Sequence, residues 1–266
     1  ERMINLNKDG IKATIPRPYW YIELLKRCLL DCIYDPSSLD HLFGNPDRKK
    51  ETVSLDAVQN GSYWPARAHT MIGYKRLNNI QHCFESVIKD KIEGDLIETG
   101  VWRGGACIFM QALNLYFEQD RKIFVADSFE GLPKPEKEYP ADKNDTHYRQ
   151  PFLQVSIEEV RGNFERYRLL RDNVIFIKGF FKDTLHKAPI DKLSILRLDG
   201  DMYSSTIQAL DALYDKVSLG GYIIVDDYNL PGSRSAVKDF RAQRGILDLI
   251  VPIDNMGSYW RKTDAH

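Results

Sequence analysis

The sequence predicts an α/β fold in which a mainly parallel sheet carries helices on both faces. From Gly94 onward, short apolar runs alternate with stretches whose apolar residues recur at helical spacing, a pattern typical of βαβ crossovers. The last two strand-like runs, "LDLIVPID" and "GSYWRK", are separated only by Asn255 and Met256. A crossover helix needs a longer connection, so these two runs predict a hairpin with at least one antiparallel strand.

The composition is that of an ordinary globular protein. The 266 residues are 43% apolar and 28% charged, which suits one large domain or one domain with an elaborated flank. The formal net charge of −1 gives no electrostatic footprint for nucleic acid. We find no signal peptide and no apolar run near the ~18 residues of a membrane span. The four cysteines follow no metal or disulfide spacing, which favours a reducing compartment, so we expect a cytoplasmic protein. From the charge and the lack of an apolar span, we expect no nucleic-acid or membrane partner.

Two regions are expected along the chain. Residues 1–67 are predicted to form a helical and loop extension that covers an acceptor site or contacts a second subunit. Within it, the segment Tyr19–Asp35 has apolar residues at helical spacing. Residues 68–266 are predicted to form the main domain, which begins with a helical stretch broken near Gly73.

The main domain contains five strand-like runs, which are Asp95–Thr99, Lys122–Ala126, Asn173–Lys178, Leu193–Leu198 and Tyr222–Val225. Helical patterns lie between or after them, at Ala106–Phe117, Ile157–Tyr167, Thr206–Val217 and Ser233–Arg244. A longer insert at residues 130–154 is rich in proline, lysine, aspartate and tyrosine. We predict that this insert forms a lid-like loop over the strand ends.

The first candidate site is a glycine-rich turn that follows the first of these strands. In "GDLIETGVWRGGACIFM", Trp102 stands where the dinucleotide fingerprint G-x-G-x-x-G requires its middle glycine. Glu98 adds a negative charge at the end of the strand, which repels a phosphate and attracts an amine. A nicotinamide cofactor therefore stays only as an alternative.

A carboxylate also ends the second strand, where Asp127 follows "FVA". This position suits the two hydroxyls of a ribose. Together, Glu98 and Asp127 indicate a nucleoside with a cationic amino-acid tail, and S-adenosylmethionine is such a ligand. The alternative is that both acids merely cap loops.

The second candidate site consists of four carboxylates that follow two later strands. Asp199 and Asp201 come after "SILRL", and Asp226 and Asp227 come after "YIIV". If the two strands are neighbours, the four charges repel strongly unless a cation lies between them. Ligands that offer only oxygen favour a hard ion, with Mg²⁺ first and Mn²⁺ or Ca²⁺ as alternatives. In the competing interpretation, Asp201 caps the next helix and Asp227 holds a loop.

The two sites together predict methyl transfer to oxygen. A hydroxyl is a poor nucleophile at neutral pH, but its pKa falls on a bound Mg²⁺ and a nearby carboxylate can accept its proton. Alkoxide and sulfonium charges neutralise each other in the transition state, so a covered cleft favours the reaction.

These motifs resemble the macrocin O-methyltransferase family, which includes enzymes that methylate deoxysugar hydroxyls of macrolide and aminocoumarin antibiotics. The matching segments run from Ala68 to Lys262 in the family's order and include "AHTMIGYKRLNNIQHC", "VADSFEGLPKP", "LRLDGDMY" and "GGYIIVDDY". The resemblance implies a class I methyltransferase fold, with a Rossmann-like sheet of about seven strands, the last antiparallel, and an N-terminal helical extension. It also implies dependence on Mg²⁺ and S-adenosylmethionine, and a homodimer or larger homo-oligomer.

The resemblance further assigns roles to individual residues. It makes Asp199, Asp226 and Asp227 the metal ligands and Asp201 the general base, with Asp199 as the alternative base. The residues that it implies for the cofactor are Thr70, Met71, Glu98, Gly100, Arg103, Asp127, Ser128, Gly179 and Phe180. In this assignment Gly179 and Phe180 flank the adenine, and the backbone around Thr70 and Met71 passes beside the methionine tail.

The predicted function is Mg²⁺-dependent transfer of a methyl group from S-adenosylmethionine to a sugar hydroxyl of a secondary metabolite. Two alternatives stay open: the same chemistry on a polyketide, peptide or phenolic hydroxyl, and a cofactor-binding scaffold without turnover. Trp20, Tyr63 and Trp64 are candidates for an acceptor pocket, with packing in the core or at an interface as the alternative.

Overall fold

The computed structural model describes residues 19–33 and 55–264. The predicted extension 1–67 and the end of the predicted helix Tyr19–Asp35 therefore lie partly outside the described residues. The helices are α1 (Trp20–Leu29), α2 (Leu55–Gln59), α3 (Tyr74–Lys89), α4 (Gly105–Tyr116), α5 (Ile157–Arg166), α6 (Phe181–Thr184), α7 (Tyr203–Leu213) and α8 (Pro231–Arg244). The strands are β1 (Asp95–Thr99), β2 (Ile123–Asp127), β3 (Val174–Lys178), β4 (Leu193–Leu198), β5 (Val217–Val225), β6 (Val251–Pro252) and β7 (Ser258–Arg261).

The strands form one seven-stranded sheet in the order β3-β2-β1-β4-β5-β7-β6. Strands β1 to β5 pair in parallel, and β7 pairs antiparallel with both β5 and β6. The predicted α/β class, the parallel sheet and the antiparallel hairpin at the end of the chain are therefore confirmed. The order changes direction between β1 and β4, which is where open parallel sheets bind ligands.

The sheet is buried on both faces because alternate side chains of each strand reach opposite helix layers. Leu96 and Ile195 pack with apolar residues of α1, α3, α4 and α5. Their neighbours Ile97 and Leu196 pack with apolar residues of α7 and α8. A parallel strand covered on both sides has to be apolar almost throughout, which explains the continuous apolar runs in the sequence.

Two boundaries differ from the sequence prediction for local reasons. Strand β5 begins at Val217 rather than Tyr222, because its first half contains Gly220 and Gly221, which hide the strand pattern but still pair with the chain after β7. The helical stretch that the sequence predicts from residue 68 begins only at Tyr74, because Gly73 before it has extended backbone angles. None of the described helices has both the length and the apolar character that a membrane span needs.

The insert at 130–154 contains three short 3-10 turns, which are Pro140–Asp142, His147–Arg149 and Pro151–Leu153. It is tied to the main domain through Asp142, which is almost completely buried. The Asp142 carboxylate accepts hydrogen bonds from the backbone N–H groups of Tyr203 and Ser204, each 2.8 Å long. It therefore caps the N-terminus of α7, where unpaired backbone donors and the helix dipole favour a negative charge.

Candidate active site

A cleft of about 740 Å³ opens at the carboxyl ends of the parallel strands. Its walls come from the turn after β1, the ends of β2, β4 and β5, and the insert. Loops before α3 and between β6 and β7 complete the rim. The cleft thus lies at the point where the strand order reverses, and it is the place where the fold predicts a ligand.

Three of the predicted carboxylates meet at the floor of this cleft. One oxygen each of Asp199, Asp226 and Asp227 lies within 4.8 Å of the others. The register explains the meeting, because Leu198 of β4 stands opposite Val225 of β5 and the acids follow directly. The expectation that the two strands are neighbours is therefore confirmed.

Arg197, a buried residue that we did not predict as part of the site, pairs with acids of this cluster. Arg197 is 1% exposed, and its guanidinium contacts the carboxylates of Glu98 and Asp226 and lies 2.6 Å from Asp199. An arginine inside the apolar run "ILRL" is unusual, and this was the signal in the sequence that indicated its role. Arg197 fixes the ends of β1, β4 and β5 to one another.

A second buried arginine, Arg76 of α3, was also missed. Its guanidinium contacts Asp226 and lies 3.0 Å from the carboxylate of Asp254. The other oxygen of Asp254 accepts two backbone N–H groups, from Met256 and Gly257, each at 2.8 Å. Arg76 therefore connects the acid cluster to the turn between β6 and β7. No local sequence pattern links Arg76 to Asp226, which lies 150 residues away along the chain.

Burial and mutual repulsion raise the pKa values of the acids that line the cleft. Burial, followed by the charge of Asp226, raises the pKa of Asp199 above its ordinary value, although Arg197 acts in the opposite direction. Burial and the charges of Asp201 and Asp199 raise the pKa of Asp227 well above its ordinary value. These shifts mean that the cluster favours either protons or a cation.

Asp201, like Asp227, is not seen bound to a guanidinium group among the described residues. Its backbone is left-handed, with φ of 54°, and its N–H lies 3.3 Å from a carboxylate oxygen of Asp227. Burial and then the charge of Asp199 raise its pKa to about 7, while the charge of His147 lowers it. Asp201 lines the cleft beside the three clustered carboxylates.

The residues present fit a hard divalent cation. Six carboxylates share the region with two guanidinium groups, so negative charge remains in excess; they are Glu98, Asp199, Asp201, Asp226, Asp227 and Asp254. The three that converge within 4.8 Å offer only oxygen, which suits Mg²⁺. Asp226 retains a lone pair on each oxygen for a cation, since a carboxylate oxygen can accept more than one contact.

The glycine turn after β1 touches the end of β4. Gly100 has φ of 88°, and a Cβ at this position would lie 1.7 Å from the carbonyl oxygen of Asp199. Only glycine allows this approach. The carboxylate of Asp127 accepts a 2.7 Å hydrogen bond from the N–H of Val101 and another from the N–H of Phe129. The turn, the end of β2 and the acid cluster are therefore held as one unit.

Trp102, which broke the dinucleotide fingerprint, has a structural role in this turn. Its backbone is left-handed, with φ of 48°, and its indole N–H donates a 2.7 Å hydrogen bond to the carbonyl of Phe152 in the insert. Both residues line the cleft. The tryptophan thus closes one wall of the site instead of leaving room for a pyrophosphate.

Of the nine residues predicted for the cofactor, five line the cleft, and they are Met71, Gly100, Asp127, Ser128 and Phe180. The other four, Thr70, Glu98, Arg103 and Gly179, are not among its described lining residues. Glu98 is buried, and its carboxylate contacts Arg197 and the thiol of Cys107. Burial raises the pKa of Glu98 to about 7, against the effect of Arg197.

Arg103 and the segment around Thr70 support the turn from behind. The guanidinium of Arg103 donates to the backbone carbonyls of Ala66 and Ala68, at 2.7 and 2.9 Å. The carbonyl of His69 accepts the N–H of Gly105 at 2.9 Å. The "HTMI" segment therefore packs directly on the glycine turn, and its Met71 reaches the cleft.

The three aromatic candidates for an acceptor pocket separate in the structure. Trp64 lines the cleft. Tyr63 packs against the apolar core cluster. Trp20 is 59% exposed on α1.

Comparison with known proteins agrees with the fold. Residues 19–262 match the macrocin O-methyltransferase (TylF) family. A demethyldecarbamoylnovobiocin O-methyltransferase from Streptomyces niveus is 47% identical over 247 residues, covering 91% of this chain and 93% of the relative. A mycinamicin III 3''-O-methyltransferase from Micromonospora griseorubida is 45% identical over 248 residues, covering 91% and 96%.

Two solved structures show the same architecture. The O-methyltransferase NovP superimposes with a TM-score of 0.85 at 46% identity, covering 93% of this chain and 100% of NovP. The calicheamicin methyltransferase CalS11 superimposes with a TM-score of 0.57 at 17% identity, which shows a shared fold alone; 91% of this chain and 93% of CalS11 are covered. The sequence match and the superposition on NovP confirm the resemblance and the predicted fold, and the chain is an O-methyltransferase that belongs to the macrocin O-methyltransferase (TylF) family.

Proposed function

We propose that this enzyme transfers a methyl group from S-adenosylmethionine to a sugar hydroxyl of a secondary metabolite, with Mg²⁺ bound at the acid cluster. The observation that carries the proposal is the convergence of Asp199, Asp226 and Asp227 within 4.8 Å in a cleft that Asp201 also lines. Family membership supports the methyl transfer, and the chemistry of the acids supports the metal.

S-adenosylmethionine, when bound, supplies an electrophilic methyl group on a sulfonium. Asp127 at the end of β2 would accept the ribose hydroxyls and Phe180 after β3 would pack against the adenine, since both residues line the cleft. Met71 and Gly100 border the space for the methionine part, because both line the cleft next to the acid cluster. Glu98 acts in this proposal through Arg197, whose position it fixes.

Asp199, Asp226 and Asp227 would hold the Mg²⁺, and a bound Mg²⁺ supplies positive charge that lowers the pKa of the acceptor hydroxyl. Asp201 then takes the hydroxyl proton, because it faces the cleft and is not seen bound to a guanidinium group among the described residues. In the metal-free protein, burial and then the charge of Asp199 raise the pKa of Asp201 to about 7, so this carboxyl accepts a proton more readily than an exposed aspartate. Asp199, the alternative base, is less available since Arg197 contacts it.

The walls of the cleft support an acceptor with a large apolar part. The apolar side chains that line it include Trp64, Phe152, Leu153, Leu230 and Met256. A relative from Streptomyces olivaceus, 44% identical over 250 residues, is named for 4'-O-methylation of a rhamnosyl-bearing tetracenomycin. In our proposal the partner is therefore a small glycosylated natural product, and the enzyme is a cytoplasmic homo-oligomer whose four cysteines are free.

The test is a methyl-transfer assay with S-adenosylmethionine, Mg²⁺ and a panel of glycosylated macrolides, aminocoumarins and aromatic polyketides, next to the matching aglycones. We expect a product heavier by one methyl group from a glycosylated acceptor, located on the sugar by NMR. Chelation with EDTA should abolish turnover, and added Mg²⁺ should restore it. Methylation of the aglycones at equal rates would overturn the sugar assignment, and full activity after rigorous chelation would overturn the metal assignment.

A further inference from the structure

His69, the first residue of the "HTMI" segment, joins two helices through its backbone. Its N–H donates a 2.8 Å hydrogen bond to the carbonyl of Leu29 at the end of α1. Its carbonyl accepts the N–H of Gly105, the first residue of α4, at 2.9 Å. Two residues farther along the chain, Met71 lines the cleft. The backbone of His69 therefore fixes the start of a segment that borders the site.

The side chain of His69 is bound to a third helix. Its Nδ1 lies 2.8 Å from the phenol oxygen of Tyr167, the residue that caps the C-terminus of α5. The two rings meet edge to face, with centroids 5.3 Å apart and an interplanar angle of 83°. A hydrogen bond and an aromatic contact thus fix the orientation of the imidazole. Neither the sequence motifs nor the predicted site included Tyr167.

The two side chains are uncharged at neutral pH. Burial, followed by the charges of Arg103 and Arg166, lowers the pKa of His69 to about 4. The charge of Asp31 acts in the opposite direction but does not outweigh them. Burial also raises the pKa of Tyr167 above its ordinary value. The hydrogen bond therefore joins two neutral groups and needs no counter-charge.

The contact between His69 and the glycine turn leaves little room for adjustment. A Cβ at Gly105 would lie 2.3 Å from the carbonyl oxygen of His69 and 2.7 Å from Cβ of Thr70. Because these backbones are already in close contact, a displacement of His69 has to move Thr70 and Met71 relative to the turn that carries Gly100. The hydrogen bond to the imidazole thereby controls the shape of the cleft wall at Met71.

We propose that His69 and Tyr167 are a positioning pair that holds residues 69–72 in the conformation that binds the amino-acid part of S-adenosylmethionine. This inference rests on the proposed function, in which Met71 and Gly100 border the methionine part. His69 and Tyr167 are not among the described lining residues of the cleft, so they act through Met71. A segment that is ordered before the cofactor arrives loses less conformational entropy on binding. The pair therefore raises the affinity for the cofactor rather than the rate of methyl transfer.

The main test compares two ligands by isothermal titration calorimetry. They are S-adenosylhomocysteine and 5′-methylthioadenosine, which lacks the amino-acid part. Tyr167→Phe removes one hydroxyl and keeps the ring. We expect it to raise the Kd for S-adenosylhomocysteine on the order of fivefold, the effect of one hydrogen bond, and to leave the Kd for 5′-methylthioadenosine unchanged. An equal change for both ligands would show a merely structural role, and no change for S-adenosylhomocysteine would show no role in binding; either result overturns the proposal.

The matched control is Tyr259→Phe, which removes a phenol hydroxyl from another residue that meets a histidine edge to face, His82. Tyr259 is not among the described lining residues of the cleft, and we expect its change to leave the Kd values for both ligands unaltered. Thermal unfolding of each variant without ligand shows how much of the protein is folded before the titration.

A second set of variants tests whether the two residues act as a pair. His69→Asn keeps a polar group near the position of Nδ1, whereas His69→Leu removes it. We expect His69→Asn to retain most of the affinity for S-adenosylhomocysteine and His69→Leu to weaken it as much as Tyr167→Phe does. Tyr167→Phe combined with His69→Leu should cause no further loss, because both changes break the same bond. Additive losses would overturn the pair. If the unchanged enzyme methylates no acceptor, the proposed function fails, whereas these affinities still test His69 and Tyr167.

Discussion

Two sides of the acid cluster differ in how their charges are balanced. On the inner side, Glu98, Asp226 and Asp254 contact the buried guanidinium groups of Arg76 and Arg197. On the outer side, Asp201 and Asp227 line the cleft, and the backbone N–H of Asp201 lies 3.3 Å from a carboxylate oxygen of Asp227. Asp199 stands between, since it contacts Arg197 and also raises the pKa of both outer acids.

The difference in charge balance indicates that the inner acids position the strand ends and the outer acids are available for chemistry. A buried ion pair holds its two side chains in a fixed arrangement, and removal of either partner leaves an uncompensated buried charge. The outer acids have raised pKa values, so they readily exchange protons or accept a cation. We infer that the inner side holds the strand ends in place while the outer side reacts.

The largest expected effect comes from the inner side. Arg197→Met should lower the free energy of unfolding by about 3–5 kcal/mol, because Glu98 and Asp226 lose a buried partner. Arg244→Met is the control, since its pair with Asp215 lies at the surface and should contribute about 0–1 kcal/mol. Urea denaturation of both variants measures the difference. Equal losses would contradict a structural role for the inner side.

The outer side should show the opposite behaviour. Asp201→Asn should lower kcat on the order of 10²–10⁴-fold, because the proposed base is lost. The fold should keep its stability, since asparagine tolerates the left-handed backbone that Asp201 adopts and removes one repelling charge. Turnover and thermal unfolding are measured on the same preparation. A loss of stability comparable with that of Arg197→Met would remove the distinction between the two sides.

The pH dependence of stability sharpens the comparison further. The pKa of Asp201 rises from 3.8 to about 7 on folding, so the folded state binds more protons than the unfolded chain in this range. The contribution of Asp201 to stability is therefore full below pH 3.8 and is lost as the pH rises through about 7. Mg²⁺ at about one hundred times its Kd should add about 2.7 kcal/mol.

The measurement is urea denaturation at pH 5 and pH 8, with EDTA or with MgCl₂ at one fixed concentration. Stabilisation by Mg²⁺ should be clear at pH 8 and weak at pH 5, where protons compete for the carboxylates. Asp201→Asn in EDTA should lose less stability between these two pH values than the unchanged protein. An effect of Mg²⁺ that is independent of pH would show that the ion binds elsewhere.

The smallest expected effect concerns the wall of the cleft. Trp102→Phe removes the indole donor that binds the carbonyl of Phe152, a hydrogen bond worth about 1 kcal/mol. We expect faster amide hydrogen exchange in residues 147–154 and a higher KM for the acceptor, with kcat nearly unchanged. Exchange that is unchanged in this segment would show that the contact does not hold the insert.

The carboxylates that follow β4 and β5 were predictable from the sequence, and the arginines that pair with them were largely not. Asp199 and Asp226 each follow an apolar run, and the ends of parallel strands share one edge of the sheet, so their meeting follows from local patterns and topology. Arg76 belongs to a helix whose apolar period says nothing about Asp226, because the contact is tertiary. Only Arg197 left a local signal, as a charge inside an apolar strand.

The fold was predictable where burial dictates the pattern and less so elsewhere. The hairpin at the end of the chain follows from the shortness of its loop, and the parallel strands follow from their apolar runs. His147 lies in an insert without periodicity, and its place depends on the contact between Asp142 and Tyr203, which are 61 residues apart. Such placement cannot be derived from local preference.

The cap that Asp142 forms on α7 has a kinetic consequence. Movement of the whole insert has to break both hydrogen bonds of the cap, which costs about 1 kcal/mol. Residues 143–151 lie between this cap and the hydrogen bond that Trp102 donates to the carbonyl of Phe152. Movement of this part of the cleft wall away from the main domain therefore requires the loss of at least one of these two contacts.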